Sequence, residues 1–136
     1  MPDTLHGMKD MIIDLKMEHD IVMGFIEDIH ATGGHGITGQ VKMMSYKHYF
    51  EAIFATLSIP FGGHTPAKWQ PEMLGTGYKS ITCDDKAKQR NERKKWLKSK
   101  SLETAQRLFP NAPIKLKKDD GKSDSILIAK YGKDNS

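Results

Sequence analysis

Residues 5–19 place Leu5, Met8, Met11, Ile12, Leu15 and His19 at helical intervals, with Lys9, Asp10, Asp14, Lys16 and Glu18 between them. The spacing predicts an amphipathic helix. The next run, residues 21–29 (IVMGFIEDI), is nearly all apolar. It is too short for a free helix and too evenly apolar for a strand with one wet face, which predicts a buried parallel strand. A glycine-rich loop, ATGGHGITG, leads to residues 40–57, where Val41, Met44, Phe50, Ile53, Phe54 and Leu57 mark the buried side of a second helix. Residues 58–65 predict a second short strand, closed by Pro66. Residues 67–85 read as an irregular excursion, because Pro66, Pro71, Gly75 and Gly77 punctuate them. Residues 86–108 predict a highly charged helix, open to a break near Ser99, with Trp96, Leu102, Ala105 and Leu108 turned inward and Phe109-Pro110 as its stop. A last helix is expected over residues 120–131, and KDNS reads as a frayed tail.

The order helix, strand, helix, strand predicts an α/β layered fold, and 136 residues fit one domain. Two strands among four helical segments make an undersized sheet, since sheets usually hold about four to six strands and an uncovered apolar strand invites pairing. The pattern therefore calls for a further strand.

Composition narrows the classes. With 38% hydrophobic residues and no run near the roughly 18 apolar residues of a membrane helix, no span is expected. The opening MPDTLHGMKD lacks a basic start before an apolar stretch, so no secretory signal is expected and the compartment expected is the cytoplasm. One cysteine, Cys83, excludes an internal disulfide and a thiolate zinc cluster. Charge is unevenly placed: residues 1–66 carry a net −4 and residues 67–136 a net +8. A basic half favours a polyanionic partner, because phosphate neutralisation releases counterions. The segment KAKQRNERKKWLKSK alone holds eight Lys and Arg around Trp96, which as a helix offers a cationic side with an indole to anchor it or to stack on a base.

Several chemistries fail on context. Gly34, Gly36 and Gly39 spell G-x-G-x-x-G, but SIPFGGHT ends without the acidic residue that a dinucleotide site needs about 20 positions on. His30, His35, His48 and His64 match no zinc-ligand spacing, and no serine lies in G-x-S-x-G. Carboxylates make the sharper case. Glu27 interrupts the apolar run near the strand's C-terminal end, where parallel-sheet sites are built, and alternation points Glu27 and Asp28 to opposite faces. Asp120 and Asp124 stand four apart on one helical side that continues as Leu127, Ile128 and Tyr131, so their Cβ atoms lie about 5–6 Å apart. Like charges held so need protonation, a cation or a basic partner. Such a set suits divalent-metal phosphodiester chemistry; it equally suits an acidic first turn favoured by the helix dipole, with Glu27 salt-bridged.

The series FIEDIHATGGHGITGQ, LSIPFGGHTPAKWQ, ETAQRLFP and KDDGKSDSILIAKYG resembles, in order and spacing, the RuvC-like Holliday junction resolvases of the RNase H-like superfamily, especially viral versions, over about residues 23–132. The resemblance implies an RNase H-like fold, Mg²⁺ (or Mn²⁺) as cofactor, and Glu27, Asp120 and Asp124 as catalytic metal ligands of an endonuclease acting on branched DNA. It places Gly34 and Gly36 near DNA, with Lys68, Trp69, Lys79, Arg90, Arg93, Lys94 and Lys95 along the phosphates. In this family the chain opens with three strands, the first carrying an aspartate ligand in a GIDPG-like turn. This sequence has no counterpart to them, and Asp3, Asp10 and Asp14 lie outside any such strand. The resemblance is thus to an N-terminally truncated version. Its missing strand is expected beside residues 21–29, supplied by a homodimer partner or another chain. Alternatives are a noncatalytic DNA-binding protein and a self-associating fragment.

Overall fold

The computed structural model describes residues 4–29 and 36–136. The protein is mixed α/β, mostly helical with one small parallel sheet. Cα packing divides it into two compact units, Met1–Pro66 and Ala67–Ser136.

In the first unit, helix α1 (Leu5–Glu18) starts where Thr4 Oγ1 accepts the Gly7 N–H at 3.1 Å, a side-chain cap for an otherwise orphaned donor. Its Met8 and Ile12 are buried against Ile53, Phe54 and Ile59. Strand β1 (Gly24–Glu27) pairs in parallel with β2 (Phe61–His64), in the register Gly24↔Phe61 through Glu27↔His64. Helix α2 (Ile37–Thr56) connects the two strands as the crossover a parallel pair requires. Both strands are shorter than the sequence pattern predicts, four residues each. The extended flanks carry the apolar pattern without entering the ladder, which closes with the Gly24 N–H on Pro60 O and the Asp28 N–H on His64 O. Between α2 and β2 the chain reverses through Ser58 at φ 54°, where the Ser58 and Ile59 N–H groups bond Ala55 O and Phe54 O. That is a left-handed helix stop closed by an apolar contact between Ile59 and Phe54.

Close approach explains one glycine. A Cβ on Gly24 would stand 2.6 Å from Phe54 Cε2, so only glycine lets β1 lie on α2. Gly24→Ala is expected to destabilise by about 1–3 kcal/mol through overpacking. Gly39→Ala, whose Cβ meets nothing within 4 Å, should instead leave stability equal or slightly raised. Urea midpoints check both, and equal midpoints for the two variants would refute the contact.

In the second unit the expected irregular excursion is helical. Helix α3 (Pro66–Leu74) and a 3₁₀ turn (Gly77–Ser80) occupy residues 66–80. Pro66 does not close a strand; it sits at the first helical position, where a missing N–H costs nothing. Gly75 ends α3 at φ 81°. Helix α4 (Lys86–Leu108), capped by Asp85 Oδ1 on the Ala87 N–H at 2.8 Å, runs unbroken through Ser99. A second 3₁₀ turn (Lys117–Asp119) leads into α5 (Asp120–Asp134), so the expected frayed tail is helical to Asp134. Helices α4 and α5 pack along each other, burying Ser101, Thr104 and Ala105 of α4 and Ser123, Leu127, Ile128 and Tyr131 of α5. Among the described residues, no helix is long and apolar enough to cross a membrane.

Candidate functional site

The sheet register decides which way the paired acids of β1 point. Gly24 and Ile26 face α2, as does Asp28, which forms an ion pair with Lys47 of α2 and lies 3.5 Å from a Cβ on Gly63. Lys47 also stands 3.8 Å from Glu51, and the Asp28 carboxylate raises the Lys47 pKa. Alternation then places Glu27 on the opposite face, with Phe25 and with His64, its in-register neighbour. The His64 ring stacks on Phe25 with centroids 5.7 Å apart and planes 27° apart. Asp28 is thereby a structural ion-pair member, and Glu27 lies on the other face of the strand end.

In the second unit, Asp120 and Asp124 share one side of α5 as the spacing predicts, but in unlike surroundings. Lys98 Nζ lies 2.8 Å from Asp120 Oδ2 and holds that carboxyl below its ordinary range. Asp124 is half-buried, and its desolvation pushes its pKa up, an effect that the Ser101 hydrogen bond opposes and the nearby Asp120 charge reinforces. The sequence requirement for a basic partner is therefore met at Asp120, while burial makes Asp124 harder to ionise than an ordinary aspartate.

A hydroxyl relay runs from the Asp124 carboxyl to the backbone carbonyl of Asp120. Ser101 Oγ bonds Asp124 Oδ1 and lies 3.1 Å from Ser123 Oγ, which donates to Asp120 O at 2.7 Å. Each hydroxyl has one proton. With Asp124 ionised, Ser101 donates to it. With Asp124 protonated, Asp124 donates to Ser101, Ser101 to Ser123, and Ser123 to Asp120 O, so the chain of three bonds is complete in that state, whereas with Asp124 ionised the Ser101–Ser123 contact lacks a proton. Two neighbouring carboxyls with pKa values pushed apart are a pattern suited to one ionised anchor and one proton carrier.

Asp119 was not marked by the sequence pattern, yet it is the most enclosed carboxylate of this turn, 7% exposed. Its Oδ2 accepts the Leu116 and Lys115 N–H groups at 3.0 and 3.1 Å, and Lys122 lies 3.2 Å from Oδ1. These bonds, Leu116 first, depress its pKa. A carboxylate depressed on folding contributes stability above its unfolded pKa and loses it as pH falls through the native value. Asp119→Asn should therefore lower Tm at pH 7, with the gap to the parent closing toward pH 3. A gap independent of pH would refute the assignment. The only sequence sign was its place in KKDD, just ahead of α5.

The basic residues fare unequally. Lys68, Lys79, Arg90 and Lys94 are exposed, and exposed Lys95 lies 3.0 Å from Glu92. Arg93 is half-buried and spent on the backbone, its Nε donating to Ile81 O at 3.1 Å and Nη2 to Lys79 O at 3.3 Å. Trp96 packs on Tyr78 with centroids 6.0 Å apart and sits where a Cβ on Gly77 would meet it at 2.8 Å. Trp69, expected along the phosphates, is 0% exposed. An indole with no free surface has no face to offer a base, so its place on α3 is a core position. Gly36 caps α2 in open space, whereas Gly34, His30 and His35 lie outside the described residues.

Glu27 belongs to the first unit, Asp120 and Asp124 to the second. Among the described residues, no group of three or more His, Cys, Asp or Glu side chains forms a cluster that could hold a metal ion. The hard oxygen donors of Asp120 and Asp124, with a lysine ammonium already drawn to the former, match part of what Mg²⁺ or Mn²⁺ takes. No protein-family model and no curated protein matches the chain.

Proposed function

We propose that the chain is an RNase H-like nuclease domain of the RuvC-like type, acting on branched DNA with Mg²⁺ or Mn²⁺ and completed by a second copy or another chain. The observation that carries this reading is the pairing of Asp120 and Asp124 on α5 in unlike electrostatic settings beside the lysines of α4. Glu27 at the carboxyl end of a parallel strand supports it further, since parallel-sheet sites sit at strand ends. Glu27, Asp120 and Asp124 would hold the cation, which supplies charge neutralisation at the phosphate and an activated water. Exposed Val22, Ile37 and Val41, together with a sheet that has two strands among the described residues, support completion by another polypeptide.

A second reading, nucleic-acid binding without cutting, is favoured by the row of exposed lysines on α4, which need no metal to hold phosphate. Incubation with a four-way junction and a matched duplex, with Mg²⁺ or Mn²⁺ and then with EDTA, separates the two. Metal-dependent cuts at the branch that vanish in Glu27→Gln support the enzyme. Salt-sensitive binding without cuts in either metal supports the second reading and overturns the first.

A further inference from the structure

Two open grooves run along α4 and share Lys95 and Lys98. One, ≈ 540 Å³, includes Lys88 and Asn91; the other, ≈ 440 Å³, includes Leu102, Lys117 and Asp120. Positions 88, 91, 95, 98 and 102 follow helical spacing, so one stripe of α4 lines both grooves, over about 21 Å at 1.5 Å per residue. Lys117 comes from the 3₁₀ turn before α5 and adds a second wall. The other acids lining the grooves are engaged: Glu92 lies 3.0 Å from Lys95, Glu103 lies 3.2 Å from Lys100, and Asp85 accepts the Ala87 N–H as the cap of α4. Such exposed ion pairs are weak and exchange readily for another anion.

We infer that this trough is the path of a nucleic-acid strand, with Lys98 and Lys117 as phosphate contacts that lead the backbone to Asp120. A trough open along its length suits a linear polyanion better than a small ion, and the cations are spaced along it rather than focused at one point. Lys98 has a double part. Its side chain is 68% exposed and reaches Asp120 at 2.8 Å, so a phosphate entering the trough competes with Asp120 for the same ammonium. Moving Lys98 onto phosphate releases the Asp120 carboxylate at the moment a strand arrives. The inference rests on the nucleic-acid reading of this unit but not on cleavage.

Binding of a fluorescent four-way DNA junction, followed by anisotropy in EDTA across a salt series, tests it. Each lost phosphate contact should weaken binding by about fivefold near 0.15 M salt and reduce the slope of log K against log salt by about 0.9. The Lys98→Ala/Lys117→Ala protein should therefore bind roughly 25-fold more weakly, with a slope smaller by about 1.8. Lys133→Ala, on exposed α5 surface outside both grooves, should match the parent. Because losing Lys98 also unpairs Asp120, Lys117→Ala and Lys98→Arg are measured beside it, the first expected to lose its fivefold and the second to keep affinity. Unchanged affinity and slope in the double variant would overturn the trough alone. Failure of the parent to bind DNA at all would overturn the trough and the reading beneath it.

Discussion

Asp124→Asn is expected to leave the second unit more stable at neutral pH while reducing metal-dependent cleavage by about 100-fold or more. The two effects have opposite signs for one physical reason. Burial raises the native pKa of Asp124 above the ordinary aspartate value of about 3.9. In the window between that value and the raised one, the native state holds more protons than the unfolded chain, so stability falls as pH rises. The cost is absent below the window and fully present above it. Asparagine never ionises, yet its side-chain oxygen still accepts from Ser101, so the cost disappears and the hydrogen bond remains. Thermal melts of parent and variant should coincide near pH 3 and separate upward in favour of the variant. The cleavage half tests the proposed function; the melting half tests the geometry alone. A variant less stable than its parent at pH 7 would show that the carboxylate is a net stabilising member of the Ser101 relay.

Trp69→Ala should cost about 3–5 kcal/mol, the range for deleting a large aromatic side chain from a packed interior. Against a typical total of about 5–15 kcal/mol, that is a large share of the stability. With roughly 4–8 °C lost per kcal/mol in a small unit, Tm should fall by about 15 °C or more. Fluorescence gives an independent check, because Trp96→Phe leaves Trp69 as the remaining tryptophan. Its emission should be blue-shifted and poorly quenched by acrylamide. A Trp69→Ala protein that melts within about 2 °C of its parent and loses DNA binding would instead make the indole a stacking surface.

The two tryptophans show where the sequence was legible. Both stand beside lysines, and charge in the neighbourhood reads as surface. On a helix, however, adjacent residues point about 100° apart, so Lys68 reaches solvent while Trp69 is enclosed. Periodicity over long segments placed the helices α1, α2, α4 and α5 but not every inward position: Leu5 and Leu15 of α1 and Val41 and Met44 of α2, expected on the buried side, are exposed, because the core reaches only the middle of α1 and the last turns of α2. It missed α3, since two prolines look like breakers when only tertiary context shows that Pro66 occupies the one turn where proline fits. The Asp120 and Asp124 pair was visible as a spacing of four. Its partners were not, because Ser101 and Lys98 lie more than twenty residues away, and local pattern carries no information on which helix sides meet. A serine on the inward stripe of α4, at the position where an apolar residue was due, was the available hint.

The ion pair between Asp28 and Lys47 also sets the polarity of the small sheet. It compensates one of two adjacent carboxylates on the helix side, while alternation turns the other, Glu27, to the opposite face. Two neighbouring carboxylates on one face would repel each other; split across the strand, with a lysine fixed against one of them, their charges are held apart by the backbone itself.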